Sequence, residues 1–118
     1  MTRVIIADDD RDVVEVLAML LECKGIEVSA VAHNGKEAFD AVKENQSDVL
    51  LLDINMPVYD GYWTLEKIKM ACPDVKIIIL SGEIIDNVRN KISEFGNFTI
   101  HSKPFDIDEL VKDICDAV

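Results

Sequence analysis

The residues in this chain with the clearest chemical potential all stand at the ends of apolar runs. Asp8, Asp9 and Asp10 follow Val4-Ile5-Ile6-Ala7. Asp53 follows Val49-Leu50-Leu51-Leu52. Ser81 and Gly82 follow the run that ends at Leu80, and Lys103-Pro104 follow Phe98 to Ser102. If the ends of these runs meet in space, several carboxylates share one small volume. Two carboxylates about 4 Å apart repel by roughly 4 kcal/mol at an effective dielectric near 20, so such a cluster calls for a cation. Hard carboxylate oxygens suit Mg²⁺, which keeps several waters and takes one or two carboxylates together with a substrate phosphate. Lys103 adds a fixed positive charge and Ser81 a hydroxyl. A metal, a lysine, a hydroxyl and a carboxylate together are the equipment for phosphoryl transfer to an aspartate.

Taken one at a time these pieces are ordinary. Acidic pairs and single aspartates commonly cap helices and turns, and Asp10 reads as the cap of the helix that follows it rather than as a metal ligand. Ser-Gly is a common turn. Their weight comes from occurring at the ends of different strands.

The elements that would position them alternate regularly. Arg3–Ala7 reads as a strand, and Asp12–Lys24 as a helix with Val13, Val16, Leu17, Leu20 and Leu21 on its inner face, closed by Gly25. Glu27–Val31 reads as a strand. Lys36–Glu44 reads as a helix with Ala38, Ala41 and Val42 inward. Asp48–Leu52 is the third strand. Tyr62–Cys72 is a helix with Trp63 and Leu65 near its start, followed by Pro73. Val75–Leu80 is the fourth strand. Ile84–Phe95 is a weaker helix, with Ile84, Ile85, Val88, Ile92 and Phe95 as its strong apolar positions. Phe98–Ser102 is the fifth strand, and Asp106–Ala117 the last helix, with Ile107, Leu110, Val111 and Ile114 inward. Five strand–helix repeats with almost wholly apolar strands one, three and four predict an α/β fold, (βα)5, with a doubly wound parallel sheet between two helix layers. Ligands in such folds bind at the carboxyl ends of the strands, which is where the aspartates, serine and lysine fall.

Bulk properties agree. A length of 118 residues suits one domain, 1–118, with a core of its own. No apolar run approaches the roughly 18 residues of a membrane span. The start, MTRVIIADDD, does not read as a signal peptide, and the expected compartment is the cytoplasm. Cys23, Cys72 and Cys115 are far apart and odd in number; they read as small buried thiols in a reducing compartment. A net charge of −11 argues against nucleic-acid binding by this chain, which would need a basic patch, and favours a basic partner.

The segments VIIADDD, DVLLLDINMPVYDG, IIILSGE and SKPF resemble the signatures of response regulator receiver domains of two-component systems, in that family's order and over essentially the whole chain. The resemblance implies the flavodoxin-like strand order 2-1-3-4-5. It implies that Asp53 accepts the phosphoryl group, and that Asp8, Asp9, Asp53 and the backbone carbonyl of Asn55 serve a Mg²⁺ ion, with Mn²⁺ as a substitute. Ser81 then turns its hydroxyl toward the phosphoryl group, Lys103 pairs with a phosphoryl oxygen, and Pro104 follows through a cis peptide. Met56-Pro57 and Asp60-Gly61 shape the loop into the third helix. The side chains of Asn55 and Glu83 occupy positions that tune the phosphoryl lifetime, and two polar residues there imply a short one. The implied partners are a sensor histidine kinase or phosphotransfer protein and a downstream effector domain or target. Self-association would use the fourth helix–fifth strand–fifth helix face. The chain would be a slow self-catalysed acceptor rather than a turnover enzyme.

One position departs from the pattern. The family carries Tyr or Phe three residues before the lysine, and this chain has Ile100 there, stiff at χ1 and without a hydroxyl. His101, beside it, reads as a packed boundary histidine, and His33 as a solvated loop residue. Ile100 sustains an alternative, a receiver-fold interaction module that signals without phosphorylation. A Mg²⁺-dependent aspartyl phosphatase is a weaker rival, because Asn55 stands where such an enzyme needs a second acid.

Overall fold

The structure is a computed structural model that describes residues 2–96 and 98–118. Its strands are β1 (Arg3–Ala7), β2 (Glu27–Ala32), β3 (Val49–Asp53), β4 (Lys76–Ser81) and β5 (Thr99–Ser102). Its helices are α1 (Arg11–Cys23), α2 (Gly35–Glu44), α3 (Gly61–Ala71), α4 (Ile85–Ile92) and α5 (Ile107–Ala117), and a 3-10 turn, Ser93–Phe95, follows α4. All strand pairs are parallel, in the order β2-β1-β3-β4-β5. This is the predicted doubly wound sheet.

β3 is central and buried along its whole length, which is why its sequence is an unbroken apolar run up to Asp53. Two separate cores flank the sheet. Leu50 and Leu52 point with Ile5 and Ile79 toward Ala38, Val42, Leu65, Ile68, Val88 and Ile92 of α2, α3 and α4. Leu51 and Val49 point with Val4, Ile6 and Leu80 toward Val14, Leu17 and Leu21 of α1 and Leu110 and Ile114 of α5. The strand period of two thus feeds both layers.

The helix starts are fixed by side chains the sequence displays. Asp10 caps α1 by accepting from the N–H groups of Asp12 and Val13, as predicted. Asn34, Asp60 and Asp106 cap α2, α3 and α5 in the same manner. α4 has no side-chain cap and is only eight residues long, so the predicted Ile84–Phe95 helix splits into a short helix and a 3-10 turn. Gly61 is required by close approach: a Cβ there would run into the backbone of Ile54 and the carbonyl of Asp53. Val58 and Tyr59, just before it, adopt positive φ.

Three expectations are corrected. The inner face of α1 is Val14, Leu17 and Leu21, while Val16 is 56% and Leu20 42% exposed. The cysteines are not buried: Cys23 and Cys115 are exposed and Cys72 is half-buried. Cys23 and Cys115 sit in the last turns of α1 and α5, one helical step off the buried stripe, so solvent and not the core receives them. His33 is half-buried rather than solvated, with Nδ1 3.2 Å from the Asp8 carbonyl oxygen.

Candidate functional site

The carboxyl edge of the sheet gathers residues from four strands. Asp53 is the last residue of β3 and Ser81 the last of β4. Asp8 and Asp9 follow β1 directly, and Lys103 follows β5. Neighbouring register brings them level: Asp53 is opposite Leu80, and Ser81 is opposite Ser102. Carboxylate oxygens of Asp8, Asp9 and Asp53 lie within 4.8 Å of one another.

Burial sorts the three acids. Asp8 is 1% exposed and Asp53 3%, whereas Asp9 faces solvent. Each buried carboxylate is held by its own loop. Asp8 accepts the Asp10 N–H at 2.9 Å, and Asp53 accepts the Asn55 N–H at 3.0 Å. Lys103 reaches in from the β5–α5 loop, with Nζ 2.7 Å from Asp8 and 3.3 Å from Asp53. The Lys103–Pro104 peptide is cis, and the Lys103 N–H donates to the Ser81 carbonyl at 2.7 Å. The Ser81 hydroxyl accepts the Glu83 N–H at 2.9 Å, and Ser81 is fully buried.

The electrostatics follow from this arrangement. Burial raises the Asp53 carboxyl from its ordinary 3.8 to about 6; the charge of Asp8 adds to the rise, and the Asn55 N–H and Lys103 oppose it. Burial works against the Lys103 ammonium, but its hydrogen bond to Asp8 and the charges of Asp53 and Asp8 outweigh this and raise its pKa. One ammonium shared between two buried carboxylates leaves net negative charge at the cluster, and Asp9 adds more. The donor set, three carboxylates on hard oxygens in one small volume, fits Mg²⁺.

The chain matches the model of the response regulator receiver domain over residues 4–115. It belongs to that family. The receiver domain's role there is phosphorylation-dependent switching. Among curated relatives, the transcriptional regulatory protein PrrA of Mycobacterium tuberculosis is 38% identical over 109 residues, covering 92% of this chain and 46% of PrrA. The chain spans about half or less of the length of the curated relatives it matches. A Francisella response regulator receiver domain superposes with a TM-score of 0.88 at 30% identity, over 99% of this chain and 96% of the other. The response regulator TrrA of Thermotoga maritima, solved in complex with Mg(2+)-BeF, does so with a TM-score of 0.87 at 27% identity over the full length of both chains.

Asp8, Asp9, Asp53, Ser81 and Lys103 all lie at the carboxyl edge of the sheet, and the first three together with Lys103 are in mutual contact range. Asn55 joins them through its N–H. Ile100 is partly buried against the α2–α3–α4 core. Sequence reasoning missed two contacts. His101, 9% exposed, lies 2.7 Å from the Asp113 carboxylate of α5, a pairing of residues on different elements with no local spacing to reveal it. Glu83 is tied to Lys91 of α4 at 3.6 Å, which the separation of eight residues hides.

Proposed function

We propose that this receiver domain takes a phosphoryl group on Asp53, and that Asp8, Asp9, Asp53 and the Asn55 carbonyl hold the Mg²⁺ that accompanies it. The observation that carries the reading is the Asp53 carboxylate: nearly fully buried at the end of the central strand, 3.3 Å from the Lys103 ammonium and grouped with Asp8 and Asp9. Mg²⁺, or Mn²⁺ in its place, supplies neutralisation of the charge that develops on the transferring phosphoryl oxygens. Asp53 attacks phosphorus in line, the donor's bond to phosphorus breaks, and Lys103 moves its ammonium from the two carboxylates to a phosphoryl oxygen. Ser81 gives up the Glu83 N–H and donates its hydroxyl to the same group. Water later hydrolyses the acyl phosphate without a second enzyme, with the Asn55 and Glu83 side chains setting the pace.

The donor is a phosphohistidine on a sensor kinase or phosphotransfer protein. Exposed Val16 and Leu20 of α1 form an apolar strip with the half-buried Val13 and Phe105, and Phe105 follows Lys103-Pro104. That strip suits an apolar partner helix. The output passes to an effector domain or target protein, or to a homodimer, through the α4–β5–α5 face. The compartment is the cytoplasm; among the described residues no helix is long and apolar enough to cross a membrane. Ile100 favours the alternative of an interaction module that ignores phosphorylation. The two readings separate by calorimetric titration with beryllium fluoride in Mg²⁺, a phosphoryl mimic for carboxylates. Wild type binds it, and neither Asp53→Asn nor wild type without Mg²⁺ does. Binding by Asp53→Asn equal to wild type would overturn the acceptor assignment.

A further inference from the structure

The loop that carries Ser81 is tied to two helices outside the acid cluster. The Ser81 hydroxyl accepts the Glu83 N–H, so the hydroxyl and residue 83 move together. The Glu83 carboxylate is directed at α4, with Oε2 3.6 Å from Lys91 Nζ in the last turn of that helix. This Oε2 is buried and accepts no hydrogen bond among the described residues, so Lys91 is its counter-charge. Lys91 Nζ in turn stands 5.7 Å from the ring centroid of Tyr62, in the first turn of α3. The Tyr62 hydroxyl is also buried without a hydrogen-bond partner among the described residues. Burial, then the Glu83 charge, push its pKa above the ordinary 10.0, and Lys91 opposes them, so the three groups feel one another.

We propose that Glu83, Lys91 and Tyr62 form a latch that holds Ser81 in its resting position and loosens when Ser81 turns to a phosphoryl group on Asp53. The latch rests on the Asp53 reading above. Lys91 is a positioning residue, because it pairs with none of the acid-cluster carboxylates. Two buried oxygens left without hydrogen bonds make the resting arrangement one of modest depth, suited to being broken. An interaction made in only one of two states lowers the affinity of whatever needs the other state by its own free energy. The latch also sends the state of Asp53 to the α3–α4 groove, lined by Tyr62, Trp63, Lys91 and Phe95. That route does not depend on an aromatic residue at position 100.

The test is calorimetric titration with beryllium fluoride at saturating Mg²⁺, beside titration with Mg²⁺ alone. Lys91→Met is expected to bind beryllium fluoride about two- to fivefold more tightly than wild type, the size of a half-exposed ion pair. Its affinity for Mg²⁺ alone stays at the wild-type value. The gain disappears in the Ser81→Ala background, where there is no hydroxyl to release. Tyr62→Phe keeps the ring face and the wild-type affinity, whereas Tyr62→Leu behaves as Lys91→Met. Equal affinity of Lys91→Met and wild type, or an equal gain with Ser81 replaced, overturns the latch while leaving the Asp53 reading intact. A folded wild type that binds no beryllium fluoride overturns that reading itself, and the latch with it.

Discussion

Asp53 is costly to bury, and its cost is what makes it useful. Its pKa is raised to about 6 in the folded chain against 3.8 ordinarily. The folded state therefore binds a proton more tightly than the unfolded state, and stability falls as pH rises from about 4 through about 6. Without Mg²⁺, Asp53→Asn is expected to be more stable than wild type at pH 7.5 by on the order of 1–3 kcal/mol, with the difference fading below pH 4. Urea titrations at the two pH values check this; an equal gain at both would show that the carboxylate's charge is not the cause. Lys103 works in the other direction. Lys103→Met removes the ammonium from two buried carboxylates, and the expected loss is about 1–3 kcal/mol without Mg²⁺, larger at pH 8 than at pH 5. Added Mg²⁺ should recover more stability in this variant than in wild type, which thermal melts with and without the ion would show. At this scale the sequence was most legible. A single carboxylate or lysine at a strand end is ordinary, and Asp8, Asp53 and Lys103 stood out because each ends a different strand of one alternation. Glu83–Lys91 and His101–Asp113 did not, because each pairs residues that only the fold brings together.

Elements were legible where one physical cause dominated. β3 from Val49 to Leu52 and β4 from Ile77 to Leu80 are apolar because both faces are covered, and Asp10 was readable as the cap of α1. α1 was misread because Val13, Val14, Val16, Leu17, Leu20 and Leu21 offer two overlapping stripes. Packing on β1 and β2 selected Val14, Leu17 and Leu21, and left Val16 and Leu20 in solvent beside Phe105. α4 was overextended because its apolar spacing continues into Phe95, whereas the chain lacks a cap at Ile84 and tightens at Ser93. Two consequences follow for stability. Asp10→Ala should cost about 1 kcal/mol through loss of the α1 cap, with Asp53 phosphorylation intact. Gly61→Ala should cost more, because its Cβ meets backbone at Ile54 and Asp53 and shifts the loop beside Asp53. Denaturant midpoints of the two variants, with phosphorylation yield measured alongside, would rank them.

The whole molecule is a rigid parallel sheet whose carboxyl edge is acidic, on a chain of net charge −11. Both cores meet at β3, so Asp53 stands on the best-buried element of the fold, and the loops after β1, β4 and β5 bring the rest. A phosphoryl group on Asp53 would add roughly two negative charges at that edge, where the long-range field already opposes them, and local counter-charge from Lys103 and a divalent ion would offset them. Acceptance of a phosphoryl group by Asp53 is read most directly from intact mass after incubation with Mg²⁺ and a small phosphodonor, beside Asp53→Asn, followed by borohydride reduction and peptide sequencing. One added phosphoryl on wild type, located at residue 53 and absent from the variant, is the predicted result. A folded wild type that gains none, or an equal gain on Asp53→Asn, would contradict it.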